Sequence, residues 1–129
     1  MQKKKGLRIY VCGPYTAESE TQIIQNVMKA IDAGLALWKK GHYPYIPHLT
    51  HFVDLRAREK CVEMKWEEYI EWDRVWLEVC DALLFLGDSK GAVKELEYAK
   101  KLGKIIYYDI KDVPNLYEEA GCLVHEPRK

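Results

Sequence analysis

Two carboxylates in this chain sit where an acid needs a reason. Glu95 closes the segment Ser89-Lys-Gly-Ala-Val-Lys-Glu95, with Gly91 four residues before it and Ala99 four after. On a helix those residues are its neighbours along one face, so its flanks are small and a ligand can approach the acid closely. Most helix glutamates are simply solvated. The small flanks, and a position about one turn past a strand end, set this one apart. Asp73 has Tyr69, Ile70, Trp76 and Leu77 at i−4, i−3, i+3 and i+4. An acid on such an apolar face needs a partner, such as a nearby loop, or a task. Two acids together are the usual equipment for cleaving a glycosidic bond. Tyr10 is either plain core or, if the first strand lies beside the third, a hydroxyl reaching the same strand ends as Glu95. His48 and His51 form an H-x-x-H pair. A zinc site would need a third ligand of suitable spacing, none is evident, and no metal is expected. His51 is a candidate to line the pocket instead.

The elements that must position these residues can be read from pattern. Ala82 to Leu86 is an unbroken apolar run, as expected of a strand buried on both faces of a parallel sheet. Gly87-Asp88-Ser89 breaks it, Ser89 suits a helix N-cap, and Val93, Leu96 and Ala99 form an apolar stripe down to Gly103, a fitting C′ residue. Ligands bind at such strand ends in open α/β sheets. Leu7 to Cys12 is predicted as the first strand, ended by Gly13-Pro14. A helix is expected from Thr21 to Gly41, with Ile24, Val27, Met28, Ile31, Leu35 and Trp38 on one face. Tyr43 to Ile46 reads as an edge strand because of Pro44, and Pro47 to Phe52 as a loop. A long helix is predicted over roughly Met64 to Val79, and a fourth strand over Ile105 to Asp109. Pro114 to Ala120 reads as a helical turn and Cys122 to His125 as a possible last strand. The alternation implies one α/β domain over residues 1–129: a doubly wound, flavodoxin- or Rossmann-like parallel sheet of four to five strands with helices on both faces.

Composition narrows the function classes. Lys plus Arg and Asp plus Glu are equal at 20 each in 129 residues, so nothing calls for a nucleic acid polymer or an anionic membrane. No apolar stretch is long enough to span a bilayer, and no signal peptide is read before the first strand. The four cysteines are scattered, with no zinc or redox spacing. Cys12 and Cys80 read as core thiols, and a reduced, cytoplasmic protein is expected. Gly-x-Gly-x-x-Gly, Walker A and Gly-x-Ser-x-Gly motifs are absent, which argues against dinucleotide dehydrogenases, P-loop enzymes and standard serine hydrolases.

Several of these segments together resemble a known superfamily. Tyr10-Val-Cys-Gly13 is similar to the first strand of the nucleoside 2-deoxyribosyltransferases and the related deoxynucleoside 5′-monophosphate N-glycosidases. Asp73, within Glu-Trp-Asp-Arg-Val-Trp-Leu, resembles their helix aspartate. Ser89 to Glu95, with Ala99 and Gly103-Lys104, resembles their Ser-x-Gly-x-x-x-Glu block and trailing helix. Pro114-Asn115-Leu116 resembles the segment that the transferases lend to a neighbouring subunit. Gly13-Pro-Tyr-Thr16 and Pro47-His-Leu-Thr-His-Phe52 mark an uncharacterised subgroup.

The resemblance implies that Glu95 is the nucleophile at the anomeric carbon of a nucleoside or nucleotide, in a retaining double displacement. Tyr10 would hold Glu95, and Asp73 would bind a sugar hydroxyl or protonate the leaving base. Gly13, Tyr15, Thr16, His51, Ser89, Gly91 and Asn115 would contact substrate, with no cofactor. Where the transferases carry an aspartate, this chain carries Ser89, as the monophosphate hydrolases do. A hydroxyl and helix N-terminal amides attract phosphate, whereas an aspartate would repel it. At Pro14-Tyr15-Thr16 the chain departs from the hydrolases' Gly- and Arg-bearing loop. Hydrolysis of a nucleotide is favoured. The alternatives are base exchange, a non-catalytic nucleotide-binding module on the same fold, and a metal-dependent hydrolase using His48 and His51. A homodimer or higher homo-oligomer is expected, with Trp66, Trp72 and Trp76 supplying apolar contact surface and Asn115 reaching the neighbour's site.

Overall fold

The computed structural model describes residues 5–117. Four short strands, β1 (Arg8–Cys12), β2 (Tyr43–Tyr45), β3 (Ala82–Phe85) and β4 (Ile105–Tyr107), form one parallel sheet in the order β2-β1-β3-β4. Four helices connect and cover them: α1 (Glu20–Lys39), α2 (Thr50–Glu59), α3 (Trp66–Val79) and α4 (Lys90–Lys101). The register sets Tyr10 between Tyr45 and Leu83. Period-two alternation then sorts the apolar strand residues into two cores. Ile9, Val11, Ala82 and Leu84 pack with Ala30 and Leu37 of α1. Tyr10, Cys12 and Leu83 pack with Leu77 of α3 and with Ala92, Leu96 and Ala99 of α4. This is the expected doubly wound α/β architecture. The chain leaves β1 towards one edge and β3 towards the other, so the order reverses between these two strands. Their carboxyl ends, Cys12 and Phe85, therefore flank a crevice of the kind where such folds bind ligands.

The strand and helix starts follow the local chemistry. Ser19 Oγ accepts from Gln22 N to open α1, and Ser89 Oγ accepts from Ala92 N to open α4, each at 3.1 Å. Gly103 ends α4 with φ +77°, a conformation that a side chain disfavours. Among the described residues β2 is an edge strand, as its proline predicts, with Pro44 opposite Ile9.

Several expectations are corrected. The buried face of α1 is Val27, Ala30, Gly34 and Leu37. Ile24, Met28, Leu35 and Trp38, expected together on one apolar face, are exposed, the last two at 58%. The reason is close docking: a Cβ on Gly34 would sit 2.5 Å from Ile46 Cδ1, so small residues mark the contact line. The segment read as a loop at Pro47–Phe52 is a 3-10 turn (Pro47–Leu49) running into α2. The helical turn expected at Pro114–Ala120 lies partly outside the described residues; before it, a 3-10 turn at Ile110–Asp112 is capped by Asp109. The expected strand at Cys122–His125 lies outside the described residues. Among the described residues, no helix is long and apolar enough to cross a membrane.

Candidate active site

A cleft of about 830 Å³ opens over the carboxyl ends of the sheet, within the size range of small-molecule sites. Its floor is Tyr10 and Gly13 of the β1 end. The N-terminal half of α4 supplies Ser89, Gly91 and Glu95, and α3 supplies Asp73 and Arg74. α2 adds Asp54 and Arg58, while Tyr15 and Thr16 come from the loop after β1.

Glu95 is held through both oxygens by one strand. Tyr10 Oη donates to its Oε2 at 2.7 Å, and Cys12 Sγ donates to its Oε1 at 3.4 Å. Tyr10 and Cys12 are two apart on β1 and so project to the same face. Burial raises the pKa of Glu95, and the bonds from Tyr10 and then Cys12 oppose that rise. Both donors stay protonated, because burial, chiefly, drives the Tyr10 phenol and the Cys12 thiol well above their ordinary ranges.

Asp73 behaves differently. Burial, and then the charge of Glu95, push its carboxyl up to about 7, against a weaker opposing bond from Tyr45 Oη at 3.2 Å. Tyr45 is set by β2 beside Tyr10, with ring centroids 5.5 Å apart, and stacks on Trp76 at 5.7 Å. Near neutral pH the site can thus hold an acid that exchanges its proton beside a second carboxyl fixed by two donors. Environments that separate two carboxyls in this way separate a nucleophile from a general acid.

The other expected residues divide. Gly13, Tyr15, Thr16, Ser89 and Gly91 line the cleft. A Cβ on Gly91 would meet nothing within 4 Å, so its surface is open to a ligand. His51 is buried behind the wall, where its Nδ1 pairs with Tyr15 Oη at 2.8 Å. His48 is the histidine that reaches the cleft, and its Nε2–H donates to the carbonyls of Gly13 and Pro14 at 3.1 and 3.0 Å. The H-x-x-H pair fastens the loop after β1, His48 through these carbonyls and His51 through Tyr15. Among the described residues, no three His, Cys, Asp or Glu side chains are grouped to hold a metal ion.

Asn115 is not brought to the cleft of its own chain. Lys40 O accepts from Leu116 N, and His42 Nε2–H donates to Pro114 O at 2.8 Å, so Asn115 lies at the amino end of β2. Its Oδ1 accepts from Tyr117 N in a local turn.

Four contributors escape a reading of the sequence alone. Tyr45 and Cys12 become visible only once register places them beside Tyr10 and Glu95. Asp54 and Arg58, an ion pair at 2.7 Å, belong to α2, whose start reads as loop.

Residues 7–109 match a family described as a domain of unknown function, DUF7768. The chain belongs to the DUF7768 family. The matched segment runs from β1 through β4 and contains Tyr10, Cys12, Asp73, Ser89 and Glu95, while Asn115 falls outside it. In fold, this DUF7768 chain is similar to the 2-desoxiribosyltransferase from Leishmania mexicana, with a TM-score of 0.53 and 16% identity over 95% of this chain and 88% of that one. No curated protein matches the DUF7768 chain in sequence.

Proposed function

We propose that this protein cleaves the N-glycosidic bond of a (deoxy)nucleoside 5′-monophosphate with retention, using Glu95 as nucleophile and Asp73 as general acid and base. The observation that carries the reading is the pair of unlike carboxyls in one cleft. Glu95 is fixed by two donors, and Asp73 titrates near neutrality. In the first step a Glu95 oxygen bonds to C1′ as the C1′–N bond breaks. The electron pair leaves with the base, which takes the Asp73 proton. In the second step water attacks C1′ and gives a proton to Asp73. The C1′–Oε bond breaks and Glu95 is restored as a carboxylate.

Three features favour a monophosphate. Ser89 caps α4 through its oxygen and keeps its O–H as a donor. Gly91 leaves the first turn of α4 open, and Lys90, Lys94 and Arg74 bring positive charge to the cleft lining. The second reading is base exchange, in which an acceptor base replaces water, in keeping with the name of the Leishmania mexicana protein. The functional unit is a homodimer in which Asn115 meets the partner's cleft. The free thiols Cys12, Cys61 and Cys80 suit a reducing cytoplasm.

The test is incubation with a panel of nucleosides and monophosphates, with and without a free acceptor base, followed by chromatography of the products. Free base from a monophosphate alone is expected. Turnover only with an acceptor would favour base exchange, and binding without any turnover would overturn the enzymatic reading.

A further inference from the structure

The Cys12 thiol has one hydrogen and two acceptors: Glu95 Oε1 at 3.4 Å and the Ala92 carbonyl at 3.3 Å. Tyr10, by contrast, gives Oε2 a short 2.7 Å bond. The two oxygens of Glu95 are therefore held unequally. A phenol donates strongly and draws charge from the oxygen it serves, whereas a thiol is a weak donor. Oε1 keeps the greater share of negative charge. Attack through Oε1 would turn it into an ester oxygen, a poorer acceptor. A donor tied only to Oε1 would then be stranded in a buried site, but the thiol can rotate to Ala92 O.

We propose that Cys12 is a positioning residue whose thiol is shared between Glu95 Oε1 and Ala92 O, selecting Oε1 as the attacking oxygen and releasing it as the glycosyl ester forms. The inference rests on the nucleophilic role proposed for Glu95 and adds which oxygen acts and what frees it. Glu95 is bonded by β1 and shares its cleft with groups from several elements. Tyr10 and Cys12 belong to β1, and Asp73 and Arg74 to α3. Lys94 and Tyr98 are on α4 itself, and Asp54 and Arg58 of α2 lie across the cleft. β3 adds only apolar Leu83 and Phe85. Of these, Cys12 is the one whose donor can be removed from Oε1 without touching Tyr10 or a cleft charge.

The test uses two variants that delete the donor while changing volume in opposite senses, Cys12→Ala and Cys12→Val. Glu95 is titrated in the free protein by carbon-13 NMR of labelled glutamate carboxyls, with Glu95→Gln giving the assignment. Loss of a bond to the ionised form should raise the Glu95 pKa in both variants, by about half a unit or more. The acid limb of the turnover profile should move with it, and the rate on the alkaline side of that limb should fall by about three- to thirtyfold, because the attacking oxygen is no longer selected. An unchanged Glu95 titration in both variants, or shifts of opposite sign that follow side-chain size, would overturn the proposal. So would a collapsed rate with an unmoved acid limb, which packing alone would produce. The NMR titration needs no turnover. A protein inactive on every substrate would sink the glycosidase reading, while the tie between Cys12 and Glu95 would still be decided.

Discussion

Asp73→Asn separates proton donation from every other use of this side chain. The substitution keeps shape and removes the proton. With its carboxyl pushed up to about 7, Asp73 is mostly protonated at pH 6 and only about a tenth protonated at pH 8. If it protonates the leaving base, wild-type base release should fall about tenfold per pH unit above 7. The Asn variant should lose that alkaline limb and run about 10²–10⁴-fold slower near pH 6. A nucleotide with N7-methylated guanine already carries positive charge on its base, so the same variant should slow it by less than about tenfold. Single-turnover release of base, measured from pH 5 to 9 on both substrates, is the assay. Equal losses on the two substrates, or an alkaline limb that survives the substitution, would refute the assignment. Stability supplies a second readout. A carboxyl whose folded pKa is raised favours the folded state most at low pH, and that contribution fades as pH rises from 3.8 to about 7. Asp73→Asn removes the dependence. Its stability relative to wild type should grow across that window by about 4 kcal/mol at most, then level off.

Other outcomes follow from the same geometry. Glu95→Ala should remove nearly all turnover with the fold intact by circular dichroism, and a variant keeping more than about a tenth of the rate would sink the nucleophile. Ser89→Asp should raise KM for monophosphates far more than for nucleosides through like-charge repulsion, whereas equal losses would leave Ser89 as a helix cap alone. Mixing Glu95→Ala with Asn115→Ala protein under subunit exchange should raise activity above either parent, since one site of a mixed dimer carries neither defect. No gain would confine Asn115 to its own chain. Leu37→Ala should cost about 2–5 kcal/mol in urea melts and Leu35→Ala well under half as much, because only Leu37 faces the sheet. Similar losses would put Leu35 back on the core face of α1.

The alternation of apolar runs and helical stripes carries the fold, because β1 and β3 are buried on both faces and α4 is framed by Ser89 and Gly103. The acids are legible for a related reason. Asp73 interrupts an apolar face, and Glu95 stands between small residues, so each departs from its surroundings. The face of α1 misleads because the helix meets the sheet through Ala30 and Gly34. Close helix–sheet contact selects small side chains, and the large apolar ones then fall on the outer face. α2 goes unseen because its first residues follow Pro47 and only His51 of the helix is buried. Tyr45 and Cys12 look like ordinary strand residues until register sets Tyr45 beside Tyr10 and places Cys12 under Glu95. Such partnerships depend on strand order, which no single segment encodes.

Pro44 bears on a different hazard. Tyr43 N donates inward to Leu7 O at 2.9 Å, so on this strand the alternate residue, Pro44, has its nitrogen turned away from β1. The proline forfeits no ladder bond, and the outer rim of the sheet loses a donor at the middle of its three-residue edge strand. Among the described residues no strand lies outside β2, and an incoming strand would find no partner for its carbonyl at Pro44, which disfavours pairing there through covalent structure rather than charge. The protection is local to β2: β4, the sheet's other edge among the described residues, has no such proline. Pro44→Val would restore that donor on β2.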